Sequence, residues 1–244
     1  MQEQVKEGLG LSFTFLTAAL MVSHPFLHWW YGVQGAVIAW LGVLSMALLD
    51  YFTAPLSKKN IQHMQQGGFS MQYIATCAAI NLSIYWIPMA VPIWLFATPA
   101  VPRFDVELIC NVAAILSITE LWFTPVHKLL HRHFAELHLM HHFCDYCSFT
   151  SNLLFHPLDI FLEFGFPLLL NGVIGGWYFK DTFAMIVGYS IIGTWYVLDH
   201  DQYLQTEHWK HHRYCSGRYS AYLVRGECDP DDAVKPLMRS KKQH

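Results

Sequence analysis

Eight of the chain's 15 histidines fall into three short runs, His127-Lys-Leu-Leu-His131, His138-Leu-Met-His141-His142 and His208-Trp-Lys-His211-His212. Residues at i, i+3 and i+4 share one face of a helix, with Cβ atoms about 5–6 Å apart, so each run presents a row of imidazoles to one side. Imidazole is the commonest metal-binding side chain. Eight such groups are too many for one tetrahedral ion and suit two ions, each keeping an open coordination position. A single histidine is more often a hydrogen-bonded structural residue, but that explanation would have to be invoked eight times at ligand spacing. The expectation is a dinuclear metalloenzyme whose ligands are His127, His131, His138, His141, His142, His208, His211 and His212.

Other polar residues lie near these runs. His200, in Leu198-Asp199-His200-Asp201, is a ninth candidate ligand, and Asp199 and Asp201 suit the orienting role that carboxylates take beside metal-bound imidazole. His156 precedes Pro157 and is open between a ligand and a turn residue. Glu120 lies seven residues before His127 on the same helix face, inside an apolar run where an ionisable group is costly. It reads as a polar anchor below the metals or as a packing contact. His24 and His28 are also four apart, which would allow a second metal site, but they stand beside Trp29 and Trp30 and read rather as part of an interfacial aromatic belt. Cys144-Asp-Tyr-Cys147 has redox-motif spacing without a βαβ context, and the six cysteines read as free thiols of a reducing compartment.

The elements that must hold these histidines are apolar. Hydrophobic residues make up 54% of the chain and charged residues 14%, against about 25% charged in soluble domains. No basic run points to nucleic acid. Six stretches are apolar enough to span a bilayer, which takes about 20 residues: Leu9 to Trp30, Ala36 to Thr53, Met71 to Ala97, Val106 to Val126, Leu158 to Tyr178 and Thr182 to Leu198. Pro88 and Pro92 predict a kink, or two shorter segments, in the third. The first lacks a positively charged flank and reads as retained rather than as a cleaved signal.

With the N-terminus in the cytosol, all 15 Lys and Arg residues except Arg103 and Lys180 fall on the cytosolic side, as the positive-inside rule requires. The same threading brings the three histidine runs to one cytosolic face. The expected fold is therefore all-α: a polytopic membrane protein of four to six spans under a cytosolic histidine-rich helical cap. It forms one domain over 1–244, with N-terminal spans in 1–105, the histidine core in 106–212 and a cytosolic tail in 213–244.

The order of HxxxH, HxxHH, His156-Pro157-Leu158-Asp159 and HxxHH resembles the fatty acid hydroxylase and sterol desaturase superfamily of membrane di-iron enzymes. The resemblance runs from the fourth span to the third histidine run, about half the chain. It implies two iron ions, dioxygen as oxidant, and attack on an unactivated C–H bond of a membrane lipid of sterol or fatty-acyl type. It also implies electrons from a cytochrome b5-type donor, supplied by a reduced nicotinamide through a reductase. Imidazole sites suit zinc, copper and nickel as well as iron, so residue chemistry alone does not select the metal. The chain departs from many relatives after the third run, where Tyr219-Ser-Ala-Tyr222-Leu-Val-Arg replaces an aromatic-rich segment ending near Gly-Thr. Lys241-Lys242-Gln243-His244 resembles a dilysine retrieval signal read by a coat receptor, which implies the endoplasmic reticulum membrane. The alternatives are a membrane metal transporter, which needs ligands continuing through the spans, and a catalytically silent scaffold of the same fold.

Overall fold

The computed structural model describes residues 2–53, 55–96, 102–144, 150–200 and 206–214, together with Val234 and Leu237. Every regular element among them is helical. In chain order these are α1 (Gln2–Thr53), α2 (Pro55–Gln66), α3 (Met71–Ile84), α4 (Ile87–Phe96), α5 (Val106–His133) and α6 (Ala135–His142), then a 3₁₀ turn at Thr150–Leu153. The chain continues into α7 (Pro157–Tyr178), α8 (Thr182–Asp199) and α9 (Glu207–Tyr214). Asp201, Cys147, Cys215, Cys228 and Lys241-Lys242-Gln243-His244 lie outside the described residues.

Five helical stretches are long and apolar enough to cross a membrane: Phe15–Phe52 of α1, Met71–Phe96 formed by α3 and α4, and α5, α7 and α8. Their apolar side chains point outward as well as inward. Ile109 and Leu121 are 67% and 68% exposed, an outward face that hydrocarbon rather than water would cover. These features are consistent with a multi-pass membrane protein.

The first two expected spans both lie within α1, which breaks at Gly32 (φ 55°, ψ −127°). That backbone conformation is accessible to glycine without a Cβ penalty. The two arms, 2–31 and 33–53, pack antiparallel: His24 approaches the Ala39 carbonyl, and Leu20 lies against Gly42. The third expected span divides at Tyr85–Trp86, just before Pro88. A proline there lacks the N–H of a helical bond and crowds the carbonyl four residues back.

Helix α8 is the central element, packing along α1 and α5. Met89, Ile93, Ile115, Leu168, Met185 and Tyr189 form one buried core between α4, α5, α7 and α8. A second core, with Met64, Ile74, Leu139, Met140 and Phe143, fixes α6 against α2 and α3. Single residues decide how the histidine-bearing helices meet. Phe134 (φ −131°, ψ 37°) interrupts the helix between α5 and α6, so α6 turns back across the end of α5. Asn81, buried in α3, donates to the Leu153 and Phe155 carbonyls at 2.9 Å each and ties down the segment leading into α7. At the other end of the bundle, Asp181 caps α8 through the Ala184 N–H at 3.0 Å and accepts from Arg103 at 2.6 Å and Asn111 at 2.8 Å.

Candidate metal centre

The C-terminal ends of α5 and α8, the N-terminal end of α7, and helices α6 and α9 bring all nine expected histidines into one buried cluster. None is more than 7% exposed. They sort into two groups by their Nε2 contacts. In the first, His131 Nε2 lies 3.0 Å from the Nε2 atoms of His127, His142 and His211, and His127 Nε2 lies 3.2 Å from that of His138. In the second, His208 and His212 approach at 3.1 Å and His141 and His200 at 3.4 Å. His127, His131, His138 and His142 form one possible ion-binding quartet, and His141, His200, His208 and His212 form another. Ring centroids of His138 and His141 are 4.8 Å apart and those of His142 and His212 4.5 Å, so the groups adjoin.

These separations are informative. A ring nitrogen carries either one N–H or one in-plane lone pair. It therefore cannot satisfy three neighbouring ring nitrogens at 3.0 Å by hydrogen bonding. Nitrogens sharing one ion at about 2.1 Å stand roughly 3.0 to 3.4 Å apart for right-angled to tetrahedral arrangements, which matches the observed range. The donor set fits a divalent transition metal in each group.

Protonation favours the same reading. Burial, and then the charge that neighbouring histidines would carry, hold His141, His142, His208 and His212 well below the usual imidazole value of 6.5. Burial lowers His200 to about 4. These rings are neutral at pH 7 and can offer lone pairs.

Several Nδ1 atoms are oriented from behind. His138 Nδ1–H donates to Asp159 at 3.0 Å, and His127 Nδ1 lies 3.4 Å from Glu163 Oε1. His200 Nδ1–H donates to the Tyr196 carbonyl at 2.8 Å. Each contact turns Nε2 toward the cluster. Glu163 was not anticipated from the sequence, and Asp159 was noted only within its motif. Their i, i+4 spacing inside an apolar span was the available signal. A π turn over Phe161–Gly165 contains Glu163, and such turns recur at functional sites.

The remaining candidates lie elsewhere. His156 is outside both groups, and its Nδ1 accepts from the Leu158 N–H at 3.2 Å to cap α7. Glu120 is buried within α5 and accepts from Thr124 at 3.1 Å. Asp199 is buried, and its backbone carbonyl accepts from Thr206 ahead of α9. His24 and His28 do not sit at an outer aromatic belt: both are 0% exposed inside the bundle, because the second arm of α1 and α4 close over them. Cys77, Cys110 and Cys144 are free thiols.

A largely apolar cleft ends at the second group. Met21 and Val43 of α1, Tyr85, Phe155, Phe164 of α7 and Gly193 of α8 line it, with His200 and Glu163 at its histidine end. A second cavity between α3, α4 and α7 shares Tyr85, Ile160 and Phe164 with it, and includes the outward-facing Ile84, Ile87 and Phe161.

Comparison with models of known protein families, with curated proteins and with solved structures finds no match.

Proposed function

We propose that this protein is a membrane-embedded dinuclear metal oxygenase of the fatty acid hydroxylase and sterol desaturase type, acting on an unactivated C–H bond of a lipid. The observation that carries the reading is the junction of an apolar cleft between membrane-length helices with the second of two adjoining, buried all-histidine groups, His200 lining the cleft and belonging to that group.

His127, His131, His138, His142 and His211 would hold one ion, and His141, His200, His208 and His212 the other. Iron bound there would supply dioxygen activation and the one-electron steps that break a C–H bond. The chain's own residues do the positioning. Asp159 and Tyr196 fix the rings of His138 and His200, while Glu163 lies beside that of His127. Phe155, Phe164 and Tyr196 hold an alkyl chain or ring edge near His200 and exclude water, which would otherwise intercept reactive species. Among the described residues, no nucleophile with an adjacent base, as hydrolysis would require, lines the cleft.

Hydroxylation and desaturation share the initial hydrogen abstraction, and the path beyond it depends on how the substrate carbon is held. The cytosolic orientation, the endoplasmic reticulum location, the coat-receptor signal and a cytochrome b5-type donor with its reductase belong to this proposal. Protein reconstituted in lipid, loaded with iron and supplied with a reductase system and dioxygen should convert a sterol or fatty-acyl lipid to a product heavier by one oxygen or lighter by two hydrogens. Metal-loaded, correctly inserted protein that gives neither product across both lipid classes would overturn it.

A further inference from the structure

His24 and His28 are absorbed neither by the metal centre nor by the membrane interface. Both are 0% exposed in the first arm of α1. His24 Nε2 is shared between the Tyr85 hydroxyl and the Ala39 carbonyl, each at 3.3 Å. Its Nδ1 and both ring nitrogens of His28 have no hydrogen-bond partner among the described residues. The two rings are 5.9 Å apart, and Trp94 closes the far side of His28 at 5.9 Å. Leaving such groups unpaired inside an apolar bundle costs about 1–3 kcal/mol each, so a polar cluster here calls for a partner.

Tyr85 connects this cluster to the cleft. Its ring lies against His24 and lines both cavities. The cleft passes His200, Tyr196 and Gly193 along α8. Gly193 and His200 are seven positions apart, a rise of about 10 Å, so the cleft reaches at least that far along α8. The cleft therefore has two polar places: the histidine groups at one end, and Tyr85 backed by His24 and His28 deeper in the bundle.

From this arrangement we infer that Tyr85, backed by His24 and His28, forms a binding site for the uncharged hydroxyl of a lipid. Neutral imidazole and phenol offer both a donor and an acceptor, which a hydroxyl matches with one O–H and its lone pairs. A carboxylate or phosphate fits poorly, because among the described residues no Lys or Arg lines either cavity and Glu163 faces the same cleft. An ether or hydrocarbon leaves the donor demand unmet. The anchored hydroxyl sets the substrate's depth, and with it which carbon along the molecule meets His200.

This inference rests on the cleft holding lipid, but not on oxygenation. Its test is equilibrium binding to the full-length, metal-loaded protein in detergent, using hexadecanol and cholesterol, each against its own methyl ether. Wild type should prefer at least one alcohol over its ether by about tenfold. Tyr85→Phe and His28→Leu should each reduce that preference to about twofold or less, with unchanged metal content. Tyr85→Phe keeps the ring and guards against a folding defect in the histidine variant. No preference in wild type, or a preference that survives both substitutions, overturns the site. Preferential alcohol binding without turnover would count against the oxygenase reading alone, and turnover without preference against this site alone.

Discussion

His138 stands between a carboxylate and a second imidazole: its Nδ1 is 3.0 Å from Asp159 Oδ1, and its Nε2 is 3.2 Å from His127 Nε2. The carboxylate selects the tautomer that frees Nε2, so it would act on a metal that it does not touch. Asp159→Asn keeps the size but weakens the acceptor. Metal affinity at the first group should fall about 10- to 100-fold, read by competition with a chromophoric chelator, while membrane insertion is unchanged.

His131 is the hub of the first group and His141 belongs to the second. Alanine at either position should cut bound metal toward half and abolish turnover, and the double variant should bind almost none. Elemental analysis of purified protein separates these outcomes, and full metal content in His131→Ala would contradict the grouping.

Metal removal should destabilise the fold, because only the native chain assembles nine imidazoles. At free metal about a thousandfold above Kd, the bound state gains about 4 kcal/mol. A chelator should therefore lower Tm by several degrees, and readdition should restore it.

Gly172 lies where α7 crosses α4. A Cβ there would overlap the Pro92 ring and the Tyr189 hydroxyl, which itself donates to the Leu168 carbonyl. Gly172→Ala should cost about 1–3 kcal/mol through overpacking, seen as a lower Tm with metal still bound.

Asp181, at the end of the bundle away from the histidine cluster, gives a pH signature. Burial raises its pKa, but the Ala184 N–H, Asn111 and Arg103 outweigh that and hold it below the usual 3.8. The native state thus binds this proton less readily than the unfolded chain. The resulting stability is fully present above about pH 4 and lost as pH falls through the lower native value. Asp181→Asn retains a capping side chain but not the charge. Melting curves from about pH 5 to pH 2 should be flatter for the variant at this site's contribution.

Much of the helical layout was legible because hydropathy and helix breakers act locally. Pro88 marked the division of the third apolar stretch, and the gap between Trp30 and Ala36 contained the Gly32 break. Glu163 was less legible: an acid in an apolar span announces a role but not a partner, and its approach to His127 depends on α7 lying across α5. The neighbouring tryptophans suggested a surface position for His24 and His28. Their burial came from the second arm of α1 and from α4, contacts that no local pattern encodes.

The sequence by itself determined the imidazole chemistry and the helical faces, since i, i+3 and i+4 spacing is a local property of helix geometry. Which histidine joins which group was decided by the tertiary structure. His141 and His142 are adjacent in the chain yet belong to opposite groups, as do His211 and His212. Consecutive residues on a helix diverge by about 100°, so α6 and α9 each point imidazoles in two directions. Only the packing of α5 on one side and the end of α8 on the other gives each direction its partners.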